Sequence, residues 1–305
     1  MNPPPEFSVV IPTYNRLEFL KEALASVAAQ TFTDYEIIVV DDGSNDGTTD
    51  YLASLVGRVT VLRQENRGPS AARNLGARHS SGRYIAFLDS DDLWLPWTLA
   101  TYNALIAEHM PSTLCAAVLE FEGAAPPLKH APLHAERFRD FMESARSPRN
   151  AGSGMLVIRK SVFVGVGGFD EGLTVAEDQD LFFRLGTEPD FIRVESPVTL
   201  ACRRHGGNTA RLLTAACYGA DVILSHELKC RYPGGTKRAR ERKTLIGRML
   251  RPVAFSATKA GLGRQAWRLY RRSFAMNVML GRWAFLLGFP LYAAWIAMRR
   301  FRTSL

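Results

Sequence analysis

Asp89, Asp91 and Asp92 stand within four residues of one another in Phe87-Leu-Asp-Ser-Asp-Asp92. Carboxylates this close repel one another unless positive charge lies between them. A hard cation such as Mg²⁺ or Mn²⁺, shared with substrate phosphates, meets that need. The same residues also suit a solvated acidic turn capping the next helix, expected from near Pro96. Two more acids, Glu177 and Asp178, open a stretch with Leu181, Phe182 and Leu185 at helical spacing. Carboxylates at a helix start complement the helix dipole, a use that fits Asp180 equally. Asp41, in Asp41-Asp42-Gly43-Ser44, can accept hydrogen bonds from a base N–H or close an ordinary turn.

These acids need elements to hold them. Tyr84 to Phe87 runs apolar straight into the Asp89 cluster, the pattern of a buried strand opening at its carboxyl end. Phe7 to Ile11, closed by Pro12, predicts a first strand, and Arg16 to Gln30 a helix through Leu17, Leu20, Leu24, Val27 and Ala28. Tyr35 to Val40 predicts the second strand, Thr48 to Leu55 a short helix, Val59 to Leu62 a third strand and Pro69 to His79 another helix. Such alternation argues for a parallel sheet covered on both faces, with ligands bound off the carboxyl ends of the strands. The turn after the first strand, Pro12-Thr-Tyr-Asn-Arg16, lacks the glycines of a dinucleotide fold, and no Walker loop is present. Its aromatic and polar side chains suit a base or ribose better than a bare phosphate.

Four segments, Val10-Ile-Pro-Thr-Tyr-Asn-Arg16, Ile38-Val-Val-Asp-Asp-Gly-Ser44, Asn66-Arg-Gly-Pro-Ser-Ala-Ala-Arg-Asn74 and Phe87 to Asp92, follow the order and spacing of family 2 glycosyltransferases. The resemblance continues through Gly167-Gly-Phe-Asp-Glu171 and Glu177-Asp-Gln-Asp-Leu181 to Arg204-His205. It covers roughly residues 7 to 210. It implies an α/β fold of the GT-A type, a mostly parallel sheet flanked by helices, and an inverting enzyme that uses nucleotide-diphosphate sugars. Residue by residue, it implies that Pro12, Thr13, Tyr14 and Asp41 hold the base and that Arg73 approaches base or diphosphate. Pairing of Arg73 with an acid of a neighbouring loop is the structural alternative. Asp89 would reach the ribose, and Asp91 would bind Mg²⁺ or Mn²⁺, with Asp92 supporting it or capping a helix. His205 would be a metal or phosphate contact, the alternative being a surface histidine. Asp178 would be the general base. Gly152 to Met155, before a strand at Leu156 to Arg159, would lie beside donor sugar and acceptor.

On this reading residues 1–210 form the catalytic domain, with donor binding in 7–92 and acceptor and catalytic parts in 93–210. The stretch Phe121 to Pro148 matches no motif, and its position suggests an acceptor-facing insertion. Residues 211–305 form a basic helical C-terminal region. Helices are expected over Leu212 to Tyr232, Lys237 to Ala260 and Gly263 to Met279, followed by an apolar stretch, Trp283 to Met298, broken by Gly288 and Pro290. From Lys237 onward there are 16 Lys and Arg against a single acid, Glu241, whereas the preceding 236 residues carry 22 basic and 29 acidic residues. A basic region of this kind suits a partner of negative charge. The apolar stretch falls short of the roughly 20 residues that span a bilayer. It is expected to lie on an anionic membrane surface, the alternative being a helix packed on protein. Nucleic acid is not an expected partner, since no recognised module is present.

Hydrophobic residues make up 47% of the chain and charged residues 22%, which excludes global disorder. Cys115, Cys202, Cys217 and Cys230 have no zinc-like spacing and suit reduced thiols of a cytosolic protein. Met1 to Glu6 has neither the basic start nor the apolar core of a signal peptide. The expected location is cytoplasmic, peripheral at the inner face of the cytoplasmic membrane. The expected reaction is transfer of a sugar from a UDP-sugar to a hydroxyl of a glycan or lipid-linked acceptor. A sugar-nucleotidyltransferase would need a glycine-rich, Arg-containing loop after the first strand, and Pro12 to Arg16 is not one. A non-catalytic sugar-nucleotide-binding subunit would be indicated by loss of the acids, yet Asp89, Asp91 and Asp178 are all present.

Overall fold

A computed structural model describes residues 3–55, 57, 59–124, 127–147, 153–204 and 213–303. The chain divides into two compact units, Met1–Phe141 with Arg149–Gly206, and Met142–Pro148 with Gly207–Leu305.

The first unit alternates strand and helix: β1 (Phe7–Thr13), α1 (Leu17–Ala28), β2 (Tyr35–Asp41), α2 (Thr48–Ala53), β3 (Thr60–Arg63), α3 (Pro69–His79) and β4 (Tyr84–Phe87). There follow β5 (Leu93–Trp94), α4 (Thr98–His109), β6 (Thr113–Cys115), β7 (Val118–Phe121), β8 (His134–Asp140), β9 (Leu156–Arg159), α5 (Lys160–Gly165), α6 (Glu177–Leu185), β10 (Pro189–Ser196) and β11 (Leu200–Arg203). Eight strands form one sheet in the order β3-β2-β1-β4-β9-β6-β10-β8. The four strands of the alternating half are parallel, with Phe7 opposite both Tyr35 and Tyr84. Strand β9 then runs antiparallel to β4 and β6, β10 parallel to β6, and β8 antiparallel to β10.

β1 and β4 are buried along their whole length, which explains why they read as continuous apolar runs. α3 lies unusually close to the sheet because Gly76 carries no side chain. A Cβ there would sit 2.4 Å from Val10 Cγ1 and 3.2 Å from Val40 Cγ2. The stretch expected to be an acceptor-facing insertion contributes β8, the edge strand beside β10. A separate small sheet, β5-β11-β7, takes up the chain on either side of the Asp89 cluster's exit.

The second unit is helical: α7 (Leu213–Leu228), α8 (Ala239–Ala260), α9 (Gly263–Met279) and α10 (Trp283–Thr303). Arg242 and Glu227, each 4% exposed, pair at 2.7 Å to tie α8 to α7. Pro290, expected to interrupt the last apolar stretch, lies inside a continuous α10. Among the described residues no helix is long and apolar enough to cross a membrane.

Candidate active site

Parallel pairing brings the carboxyl ends of β2, β1 and β4 to one edge of the sheet, and the acids and the aromatic turn meet there. Pro12 and Thr13 are buried at the end of β1, while Tyr14 is 45% exposed. Asn15 holds φ at 48°, a left-handed conformation that Asn tolerates. Its backbone N–H donates to Ser44 Oγ at 2.9 Å, and its Oδ1 accepts from the Asn45 N–H at 2.8 Å. The turns after β1 and β2 are thereby locked together. Asp41 is buried, with Oδ1 accepting from the Ser44 N–H at 2.8 Å and Oδ2 from Thr49 Oγ1 at 3.0 Å. In this state it organises the turn, one of the two uses expected of it. Its neighbour Asp42 accepts from the Arg67 and Gly68 N–H groups at 2.9 and 2.8 Å and so places the entry to α3.

Arg73 is the hub. It is 4% exposed on α3, and its Nη2 contacts Asp89 Oδ1 at 2.6 Å while its Nη1 contacts Glu177 Oε1 at 3.0 Å. Burial works against its charge, but Asp89 and Glu177 more than offset this and hold the guanidinium firmly protonated. The same helix fixes the approach to α6. Asn74 Nδ2 donates to the Phe169 carbonyl at 2.9 Å, and Ser70 Oγ donates to the Leu173 carbonyl at 3.1 Å. Ala176 then enters α6 at φ 68°, a strained conformation for a residue with a Cβ.

At the start of α6, Glu177 and Asp178 stand side by side. Burial, with Glu177 adding to it, pushes the Asp178 carboxyl up to about 7. Burial also raises Glu177, against the lowering effect of Arg73. Asp180 is occupied otherwise, paired with Arg184 at 2.7 Å.

Asp91 pairs with Arg16 Nη1 at 2.6 Å. Asp92 Oδ1 accepts from the Arg203 N–H at 2.9 Å, and burial, then Asp89 and Asp91, push its carboxyl up to about 8. Neither residue caps α4, whose N-terminus has no side-chain cap. Gly154 lies against the cluster: a Cβ there would stand 3.0 Å from Asp89 Oδ2 and 3.5 Å from Asp92 Oδ2. The absence of a side chain at Gly154 lets its backbone lie against these acids. His205 and Gly152 lie outside the described residues.

Two cations escaped the sequence reading. Arg16 stood inside a quoted motif but received no role, although β1 pairs with β4 and their ends must be neighbours. Arg203 wraps the acidic loop, donating through Nε to the Asp91 carbonyl at 3.2 Å, with its guanidinium 5.0 Å from the Phe19 ring and 4.8 Å from the Phe121 ring. No spacing rule signals it.

Among the described residues, no group of three or more His, Cys, Asp or Glu is disposed to hold a metal by itself. The donor set suits a cation shared with a ligand instead. Burial first, and then the charges of Asp89 and Asp91, raise Asp92's proton affinity. A cation held by one or two carboxylates plus phosphate oxygens is the usual arrangement for Mg²⁺. Thr13 Oγ1 and Arg73 Nε are buried at the site without a hydrogen-bond partner among the described residues. Orphaned polar atoms of this kind call for an explanation such as a ligand.

Residues 8–165 match the model of glycosyl transferase family 2. An uncharacterized glycosyltransferase of Haemophilus influenzae is 30% identical over 202 residues, covering 63% of this chain and 66% of that protein. One of Rickettsia conorii is 46% identical over 91 residues, 29% of this chain and only 15% of that relative's length. Among solved structures, S. aureus TarS (1–349) in complex with UDP aligns with a TM-score of 0.61 at 23% identity, covering 83% of this chain and 73% of that one. The mannosyltransferase PcManGT from Pyrobaculum calidifontis, in complex with GDP-Man and Mn²⁺, aligns with a TM-score of 0.54 at 19% identity, over 95% of this chain and 86% of that one.

Proposed function

The chain belongs to glycosyl transferase family 2, and on that premise we propose that it is an inverting enzyme using a nucleotide-diphosphate sugar, with a UDP-sugar the expected donor. The acceptor is a hydroxyl of a cell-surface glycan or lipid-linked intermediate, reached at the inner face of the cytoplasmic membrane.

The observation that carries this reading is Arg73, which joins Asp89 after β4 to Glu177 at the head of α6. Through that one side chain the donor-binding acids and the base belong to one constellation. Pro12, Thr13, Tyr14 and Asp41 hold the base of the nucleotide, and Asp89 reaches the ribose. Arg73, its two Nη groups taken by Asp89 and Glu177 as in the acid-pairing alternative, contributes fixed positive charge near the diphosphate and holds the two acids in place. Asp91, with His205 as a further contact, would hold Mg²⁺ or Mn²⁺, which would supply charge neutralisation on the diphosphate leaving group. Asp178, as carboxylate, takes the proton of the acceptor hydroxyl. The acceptor oxygen bonds to the anomeric carbon as the bond to the diphosphate oxygen breaks. One displacement inverts the anomeric centre, without the second nucleophilic carboxylate of a retaining pair.

Nucleotide-bearing neighbours of the same fold support the donor class, and the Mn²⁺ complex supports the cation. The test is donor turnover by purified protein over a panel of nucleotide sugars. Asp178→Asn should lower turnover by about 10²–10⁴-fold, the usual worth of a positioned base, while nucleotide affinity is kept. Full turnover in that variant would assign the base elsewhere.

A further inference from the structure

α10 presents two different faces. Its inner face is built into the helical unit: Phe285, Leu286 and Phe289 are buried, Phe289 stacks on Tyr270 with ring centroids 4.9 Å apart, and Tyr270 Oη donates to the Leu286 carbonyl at 2.8 Å. Its outer face is apolar and uncovered. Trp283, Leu287, Leu291, Trp295 and Met298 are 57%, 68%, 72%, 47% and 59% exposed. At about 100° per residue these five fall within an arc of about 120°, along about 22 Å of helix. Scattered exposed apolar residues need no explanation, but a continuous stripe of large ones does.

The charges around the stripe identify what covers it. Arg282 precedes the helix and Arg299 borders the stripe's far end, while Arg300 turns inward and donates to the Lys259 carbonyl at 2.9 Å. Arg299 lies 5.0 Å over the Trp295 ring. Glu241 is the single acid from Lys237 to the end, and it is paired with Arg238. A second copy offering the same face would bring like charge against like charge. An anionic bilayer offers the reverse: headgroups for the Arg side chains, and acyl chains for Leu287 and Leu291.

We propose that the outer face of α10 docks flat on an anionic lipid surface, with its apolar stripe in the interface and its basic ends on the headgroups. This names the surface behind the peripheral placement proposed above, on which it rests. Donor binding needs no lipid, so the two readings fail separately.

The test mixes the full chain with vesicles of phosphatidylcholine alone, or containing about one-third phosphatidylglycerol, at low and high salt. Binding is expected only with the anionic vesicles, weakened by salt, with a blue shift of tryptophan emission from Trp283 and Trp295. The double variant Leu287→Glu/Leu291→Glu, both at exposed positions, should partition at least about tenfold less while its Tm and UDP affinity hold. Wild-type protein that ignores anionic vesicles, or a double variant that binds them equally well, overturns the proposal. So does a wild-type dimer that the double variant turns into a monomer, which would make the stripe a contact between copies. Lack of UDP binding in wild-type protein would instead count against the UDP-sugar reading.

Discussion

Arg73 shows how a buried charge is kept in place: at 5% side-chain exposure it is matched by Asp89 on one side and Glu177 on the other. A charge left alone at such depth would cost several kcal/mol. Asp178, beside this pair, has its carboxyl raised to about 7 by burial and by Glu177. As the base it must be ionised, so kcat/KM should rise with pH through an apparent value near 7. The linkage runs the opposite way for stability. A carboxyl raised in the folded state takes up a proton on folding between about pH 4 and 7, so its contribution falls as pH rises through that window. Asp178→Asn should therefore be more stable than wild type at pH 8, with Tm higher by about 2–4 °C, even as turnover is lost. Arg16 gives a second prediction. Paired with Asp91 at 2.6 Å, it would compete with the cation proposed for that carboxylate. Arg16→Ala should bind Mn²⁺ alone about fivefold more tightly than wild type, the equivalent of about 1 kcal/mol for a part-exposed pair. Unbound Mn²⁺ followed by electron paramagnetic resonance would report it, and equal affinities would show that Arg16 does not compete with the metal.

At the scale of elements, α3 sets the site's dimensions. Its glycine allows the helix to lie on β1 and β2, and from there Ser70, Arg73 and Asn74 reach the segment leading to α6. In an exposed helix Gly→Ala stabilises by about 1 kcal/mol. At Gly76 the added methyl meets Val10 at 2.4 Å. Gly76→Ala should instead destabilise by about 1–3 kcal/mol, measured by denaturant unfolding. The strands and helices up to β4 were legible because each is an uninterrupted apolar run or a helical stripe between turn residues. β8 was not: His134–Asp140 alternates burial weakly and carries four charged residues, the sequence of an edge strand. Two strands of the small sheet, β5 and β7, were equally hidden, because strands of two to four residues carry too little pattern to read. Partners across long sequence separations, such as Arg73 with Glu177 or Arg203 with the Asp91 carbonyl, leave no periodic trace at all. The acids themselves were visible because charge at the end of an apolar strand is rare without a use.

Over the whole molecule, a sheet-based unit holding every described site residue is joined in sequence to a helical unit rich in Lys and Arg. The charge asymmetry was plain in the sequence. The continuity of α10 through Pro290 was not, because a proline after a glycine reads as a break, whereas here the helix carries on to Thr303. The family model covers residues 8–165 and leaves the donor to measurement. The most direct measurement is calorimetric titration of the purified chain with UDP, GDP and dTDP, each with and without Mn²⁺. The account predicts that one of them, UDP, binds tightly only when Mn²⁺ is present, and that Asp91→Ala abolishes the metal's effect. Folded protein that binds none of the three, or binds them indifferently to metal and to Asp91, would contradict it.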